Sequence, residues 1–385
     1  MKLFSRLKSL TSSPRRKQFL SLIVFSTSYM WFKNFSNSVL NPHFLNQGLS
    51  LQQMILGTTL FFSSPLILQL VKRKYSSRKS WRLAPIISLL FILMIIRIFS
   101  VWQFYLASII GGLAIIFFWL PYNINHFELT PKHRTGLSSA ILFSLISLVT
   151  LTAPLVAGFL AQINYLFIWV LSGVFFLIPF SLVKSQRSFT VSYSLKSSIR
   201  EIKATRLFIF LQGIWEAMIF GVIPIFSLYF IKSPLYYGTY MAYLSLMGIL
   251  ANLLLGRYTD KKQKRIIFLY PLTLIMAITT FLFPLAISRI IWWIAITGII
   301  QFFAPLFWNI STAMIVDAHL NLRQAIPARE FVLSSGRILG LALIFINFKF
   351  QSKPTYIFYF LGTAMLLYPI ILFYNTKISK KYTYL

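Results

Sequence analysis

The stretch KSQRSFTVSYSLKSSIREIKATR, residues 184–206, is the longest polar segment of a chain otherwise dominated by apolar residues. It carries six Lys or Arg and one acid, Glu201, and falls almost at the midpoint of the 385 residues. On either side lie runs of about 20 mostly apolar residues, the length of an α-helix that crosses a bilayer. A basic, polar segment in that place divides such a chain into two comparable sets of spans.

Working outward, the apolar runs predict twelve spans, at 18–42, 51–71, 83–99, 102–126, 136–161 and 164–183 before the central segment, and at 207–231, 237–255, 266–286, 290–316, 331–348 and 354–374 after it. The breaks between them carry turn and charge signals: Asn46-Gln47-Gly48, the basic run 72–82, Lys232-Ser233-Pro234 and Lys353-Pro354. Twelve spans use roughly 240 residues. What is left suffices for short links and excludes a separate water-soluble domain. The expected organisation is an N-terminal six-helix bundle (1–183), a central cytoplasmic loop (184–206) and a C-terminal six-helix bundle (207–385).

Composition agrees. Hydrophobic residues make up 57% of the chain and charged residues only 11%, with no cysteine. Soluble domains carry about 25% charged residues, so a water-soluble enzyme and a disordered chain are excluded. A transmembrane β-barrel alternates polar and apolar residues and keeps its mean hydropathy lower. Without cysteine there is no thiol catalysis, iron–sulfur ligation or disulfide framework.

The net charge of +31 comes from 37 Lys or Arg against 6 Asp or Glu. In a soluble protein it would suggest a nucleic-acid partner. Here its distribution explains it. With the N-terminus inside, the inner segments hold 30 Lys or Arg and the outer links only 5, Lys33 and Arg337 lying within spans. Cytoplasmic loops collect Lys and Arg, so both termini are expected in the cytoplasm and nucleic acid is not an expected partner.

The two sets of spans echo one another. Phe117-Phe118-Trp119-Leu120-Pro121-Tyr122-Asn123 in the fourth span is similar to Phe303-Ala304-Pro305-Leu306-Phe307-Trp308-Asn309 in the tenth, an offset of 186. The same offset sets Gly256 opposite Leu70 and Asp260 opposite Lys74. Between the eighth and ninth spans stands Gly256-Arg257-Tyr258-Thr259-Asp260-Lys261-Lys262-Gln263-Lys264-Arg265. Asp260 can cap a helix or pair with a cation across a helix seam. The residues alone fit equally a conformational latch or an ordinary basic loop.

This Gly-x-x-x-Asp-Lys-x-x-Lys-Arg pattern resembles the loop motif of the major facilitator superfamily, a family with two six-helix halves, a long central cytoplasmic loop and both termini inside. The resemblance implies an all-α membrane protein in which Gly256 and Asp260, with Arg257, Lys261 and Arg265, help hold the outward-facing state. The first-half copy departs from the pattern, with Leu70 and Lys74 in the Gly and Asp places. In the fifth span, Ala153-Pro154-Leu155-Val156-Ala157-Gly158 is similar to the Gly-Pro element of the family's exporters. Read as helix chemistry alone, it is a proline kink with a small-residue packing face.

Ionisable groups inside spans are costly and usually face a partner or a wet cavity. Glu216 lies in the seventh span and Lys33 in the first, positions that line the central cavity in the family. Glu216 is expected as a proton- or substrate-coupling carboxylate. Lys33 is expected as its counter-charge or as an anion-binding group. The static alternative is a buried ion pair that only fixes packing. Asn123 and Asn309, beside Trp119, Trp308, Pro121 and Pro305, are candidate solute contacts, the alternative being an interfacial aromatic belt. Asp317, Arg329, Glu330 and Arg337 are expected to form a cytoplasmic gate, the alternative being a static network, with Asp317 or an opposing helix satisfying Arg337 and Glu128, with Lys132 and Arg134, as a counterpart.

No phosphate-binding loop, metal-ligand cluster or nucleophile elbow occurs, so no cofactor, metal site or catalytic residue is expected. The reading is a secondary transporter of the cell membrane that moves a small organic solute by alternating access, driven by an ion gradient, with protons the first choice, or by the solute gradient alone, with a lean to export as an antiporter. The expected partners are the bilayer, the solute and protons, and the chain is expected to act as a monomer. Two rivals stay open: a membrane-embedded transferase acting on a lipid-linked substrate, and a non-transporting receptor on a transporter fold.

Overall fold

The computed structural model describes residues 14–129, 135–261, 265–319, 321–351 and 353–375, excluding the side chains of 14–16, 135–147, 253–261, 265–266, 313 and 315–317. The first half of the chain contributes helices α1 (Pro14–Asn37), α2 (Leu40–Asn46), α3 (Leu51–Val71), α4 (Ser77–Ile95), α5 (Val101–Leu129), α6 (Thr135–Ile163) and α7 (Tyr165–Leu182). The central segment folds into a short helix, α8 (Leu195–Glu201). The second half contributes α9 (Arg206–Ala217), α10 (Ile223–Phe226), α11 (Pro234–Lys261), α12 (Leu269–Phe281), α13 (Phe283–Ala286), α14 (Ile290–Ala318), α15 (Leu322–Asn347) and α16 (Tyr356–Phe373). Among the described residues, seven helices are long and apolar enough to cross a membrane.

The links follow the turn chemistry of the sequence. Gly48 sits at φ +85°, a left-handed conformation that glycine adopts without steric cost. Two residues later Ser50 opens α3 with a capping box: the Gln53 N–H donates to Ser50 Oγ at 3.2 Å and the Ser50 N–H to Gln53 Oε1 at 2.8 Å. Asn164 accepts from the Leu166 N–H at 2.8 Å and starts α7.

Several boundaries differ from the expectation; the helix expected to begin at residue 83 begins at Ser77, for example. The first span breaks after Asn37 and resumes at Leu40. The helix expected to end at residue 255 runs on through Lys261, so the backbone of Gly256, Arg257, Asp260 and Lys261 is helical rather than a loop. The helix expected to begin at residue 331 begins at Leu322 and carries Arg329 and Glu330. The cause is common to the last two. Hydropathy reports where a bilayer ends, whereas a helix continues into water as long as its backbone bonds are made.

The expected all-α chain also contains a small sheet. Strands β1 (Lys74–Ser76) and β2 (Thr190–Ser192) pair antiparallel, Tyr75 opposite Val191. Tyr75, Val191 and Tyr193 are buried, and the Tyr75 and Tyr193 rings stack at 6.2 Å. The central segment is therefore tied to the link between α3 and α4.

Large apolar side chains face outward along the helices, among them Val24, Ile67, Leu93 and Leu166. Such a surface would drive aggregation in water and matches lipid tails. Exposed Phe99, Trp102, Trp292 and Tyr356 cluster at helix ends, where aromatic rings favour the bilayer interface.

The two halves of the chain meet along two seams, α6 on α11 and α3 on α15. The first is a glycine crossing. A β-carbon at Gly238 would lie 2.9 Å from Gly158 Cα, and one at Gly158 would lie 2.9 Å from the Pro234 carbonyl oxygen. Small residues let helix backbones approach where lipid offers no hydrophobic drive to pack. Ala153 and Ala157 are buried on α6, so the Ala153–Gly158 element packs this seam. Polar contacts run along it: Ser245 Oγ donates to the Thr150 carbonyl at 2.8 Å and Ser233 Oγ to Gln162 Oε1 at 2.7 Å.

Candidate functional site

The site grows from a second glycine crossing, between α9 and α15. Gly336 lies against Gly213, and Gly340, one turn on, lies against Ile214 and Ala217. A β-carbon at Gly336 would overlap the Phe210 carbonyl and stand 2.8 Å from the Ile214 nitrogen. That approach brings Arg337, the residue after Gly336, onto Glu216, one turn beyond Gly213. Arg337 Nε donates to Glu216 Oε2 at 2.6 Å, and Gln212 Nε2 donates to Glu216 Oε1 at 2.8 Å. The side chains are only 12% and 2% exposed, so the pair is shielded from water. A charge pair held in this way is geometrically fixed, and each partner alone would be an uncompensated buried charge.

Immediately after Glu216 the helix is not α-helical. Met218–Val222 forms a π-turn, and π-turns frequently mark functional positions. Pro224 supplies the local cause. It has no N–H for the carbonyl four residues back, and its ring crowds that carbonyl. The π-turn presents Phe220 to Arg337, whose guanidinium stands 5.0 Å from that ring and 5.2 Å from the Phe62 ring of α3. One arginine thus joins the acid of α9 to an aromatic ring from the other half of the chain.

Lys33 is placed differently from the expectation. The structure gives Glu216 to Arg337, 121 residues away, and not to Lys33. The Lys33 ammonium stands 5.8 Å from the Phe61 ring, and Phe61 meets Phe62 edge-on at 5.6 Å. Two cations therefore flank one aromatic pair, and among the described residues only Arg337 has an acid beside it. The local balance of Glu216, Arg337 and Lys33 is one positive charge, which suits a carboxylate or phosphate group.

Arg337 and Glu330, expected together, separate. Glu330 pairs with its neighbour, Arg329 Nη1 to Glu330 Oε1 at 2.6 Å, and accepts from Asn123 Nδ2 at 3.5 Å. Asn123, expected as a solute contact, thus joins α5 to α15 across the halves. Arg329 also donates to Thr312 Oγ1 at 3.3 Å. One turn toward the end of α5, Glu128 accepts from Arg323 Nε at 2.7 Å and from Arg187 Nη1 at 3.4 Å. This carboxylate raises the Arg323 pKa above its ordinary value through hydrogen bonding and charge. Beside it, His319 Nε2 and Thr205 Oγ1 are 2.9 Å apart. Burial lowers the His319 pKa, and nearby Glu201 partly opposes it. Asn309 donates to Asn252 Oδ1 at 3.5 Å within the second half. The side chains of Gly256, Arg257, Asp260, Lys261, Arg265 and Asp317 lie outside the described residues.

Sequence reasoning missed Gln212, Phe61, Phe62 and Phe220, and the glycine crossing that sets Arg337. The Gly336-x-x-x-Gly340 spacing was the available signal. Among the described residues, no group of His, Asp or Glu is arranged to hold a metal ion.

No curated protein matches the chain by sequence. The fold is similar to the crystal structure of the nucleoside transporter NupG, with a TM-score of 0.63, 13% identity, and coverage of 94% of this chain and 99% of that one. It is also similar to a POT family transporter solved with a thioalcohol-conjugated peptide, with a TM-score of 0.69, 13% identity, and coverage of 94% and 96%. The family model described as Major Facilitator Superfamily matches residues 19–341. Its apolar helices make the chain an integral membrane protein, and it belongs to the Major Facilitator Superfamily.

Proposed function

We propose that the chain is a secondary transporter that moves a small organic solute by alternating access of its two halves around the Glu216–Arg337 site. The observation that carries this reading is the placement of Arg337. Its guanidinium donates to a buried acid of the second half and stands over an aromatic ring of the first half. A relative movement of the halves changes what covers that pair. Family membership points to a transporter rather than an enzyme.

In the full proposal twelve helices span the cell membrane as six-helix halves (1–183 and 207–385), with residues 184–206 and both termini in the cytoplasm. The broken helix α9–π-turn–α10 counts as one span, as do α12 with α13 and α1 with α2. Glu216 is the proton-coupling carboxylate. When it takes up a proton, Arg337 is released to bind an anionic or zwitterionic solute, with Lys33 as the second cation. Neutral Glu216 then permits reorientation. Glu128, Arg323, Asn123 and Glu330 close the cytoplasmic side, and Gly256, Asp260 and their basic neighbours latch it from the α11 end. Asn309 contacts the solute. Exchange of solute for protons, in the export direction, is the preferred mode. The named neighbours transport a nucleoside and bind a peptide conjugate, so these polar classes are the first solutes to try.

The test is proton flux in liposomes loaded with a pH-sensitive dye and challenged with pooled nucleosides, short peptides and organic acids. A solute-dependent pH change that Glu216→Gln removes supports the reading. A pH change that Glu216→Gln leaves intact overturns the role of Glu216.

A further inference from the structure

Away from the Glu216 site, a cavity of about 270 Å³ lies where β1, the start of α4 and β2 come together. Its wall carries three lysines, Lys72, Lys74 and Lys79, and three hydroxyl residues, Ser76, Ser80 and Thr190. None of the three lysines has an acid partner among the described residues. Lys72 is held in place by aromatic faces, its ammonium 5.5 Å from both the Tyr75 and the Phe117 rings. Three like charges around one hollow repel one another, and that repulsion is relieved when an anion enters.

One wall of the cavity is not polar. Leu83 closes it and begins a line of apolar side chains on α4, Leu83, Ile86, Leu90 and Leu93, which are 37%, 41%, 44% and 56% exposed. Their spacing of three and four places them along one helix face. A pocket for an oxygen anion therefore opens onto a lipid-facing apolar track.

We infer that this cavity binds the phosphate headgroup of an anionic phospholipid, whose acyl chain lies along Leu83, Ile86 and Leu90. On the proposed topology the lipid sits in the inner leaflet. The headgroup contacts Lys74 and Ser76 on β1 and Thr190 on β2, strands that are hydrogen-bonded to each other. The bound lipid thereby fastens the central segment to the first half.

The experiment is native mass spectrometry of the purified chain in detergent, titrated with phosphatidylglycerol or phosphatidylcholine. The expected result is selective retention of phosphatidylglycerol. Lys72→Gln/Lys74→Gln/Lys79→Gln weakens it by at least about tenfold, since each lysine near a membrane surface contributes on the order of a kcal/mol to binding anionic lipid. The matched variant Lys184→Gln/Lys196→Gln/Lys203→Gln removes the same charge from exposed positions outside the cavity and keeps the retention. Equal retention of both lipids, or equal loss in the two triple variants, overturns the site. Glycerol phosphate serves as the soluble arm. If it binds the lipid-free chain as tightly as phosphatidylglycerol does, the occupant is a free phosphate compound and the lipid assignment is overturned. Circular dichroism melting of both variants checks that lost binding is not lost fold.

Discussion

Two arginine–carboxylate contacts, Glu216–Arg337 and Glu128–Arg323, use the same chemistry in opposite surroundings. Their N–O distances are nearly equal, 2.6 and 2.7 Å. Arg337 is 12% exposed and Glu216 2%, whereas Arg323 is 47% exposed and Glu128 24%. The first lies between helices of one half that glycines hold together. The second reaches from α5 to α15 across the halves. A buried pair is expensive to break, because each partner is left as an unpaired charge in a dry place. An exposed pair opens at little cost, because water and salt replace the partner. In the proposed cycle the contrast gives them different tasks: the first would keep its geometry until a proton changed the charge, and the second would let go each time the halves moved.

The largest expected effect tests the buried pair. Glu216→Gln leaves Arg337 with an uncompensated charge and lowers stability by about 3–5 kcal/mol if no anion replaces the acid. Glu216→Leu/Arg337→Leu removes both charges and restores most of the melting temperature, since apolar replacement of a buried pair is often neutral. Transport stays lost in both. A double variant that transports normally would reduce the pair to packing.

Next comes the crossing that builds it. Gly336→Ala lowers stability by about 1–3 kcal/mol, the usual range for overpacking, because its β-carbon meets backbone of α9. Gly173→Ala is the control. Nothing lies within 4 Å of its β-carbon, and alanine is the better helix former. Thermal melts of the two variants should move in opposite directions.

A smaller effect is expected at the exposed pair. Arg323→Gln changes stability by less than about 1 kcal/mol but raises access from the cytoplasmic side. The chain has no cysteine, so Asn123→Cys gives a single thiol for a membrane-impermeant reagent. Labelling should be faster with Arg323→Gln at low ionic strength, and the difference should vanish at high salt, where surface charges are screened. An unchanged rate would remove Glu128–Arg323 from the gate.

The smallest effect is at His319. Its folded-state pKa lies below the ordinary value of about 6.5. The unfolded chain then binds the proton more readily, so the contribution is complete above pH ~6.5 and is lost as pH falls through the lowered value. His319→Gln should flatten that part of the melting curve against pH. A slope that persists would place the titration elsewhere.

How much of this was readable in advance depended on the range of the cause. The bundle of apolar helices followed from hydropathy, and the family followed from charge distribution and ten residues around Asp260. Glu216 was conspicuous as an acid in an apolar run. Its partner was not, because Glu216 and Arg337 meet only through the packing of Gly213 on Gly336 and of Gly340 on Ile214 and Ala217. Lys33 was the nearer guess by analogy between halves, and the aromatic residues between the cations looked like ordinary core. The strand pair escaped for another reason. Three residues on each side, Tyr75 and Val191 at their centres, are too short for a period-two pattern to stand out from a polar link.

That strand pair sets a leash. β2 ends at Ser192 on the first half of the chain. α8 begins at Leu195, and the cluster of Ile199, Ile202, Ile209, Ala325, Ala328 and Val332 seats it on the second half. Tyr193 is itself anchored, its ring stacked on Tyr75 and its N–H donating to the Arg73 carbonyl at 3.2 Å, so the free chain between the two anchors is Ser194, and the joint from Tyr193 to Leu195 spans at most about 7 Å when fully stretched. In the proposed alternating-access cycle, the stroke of the opening at this point would therefore be bounded by a few residues of backbone. A wider stroke must first unzip the three-residue ladder or peel α8 from α15. Lengthening the joint after Tyr193 with a few glycines would separate how far the halves travel from how tightly they close.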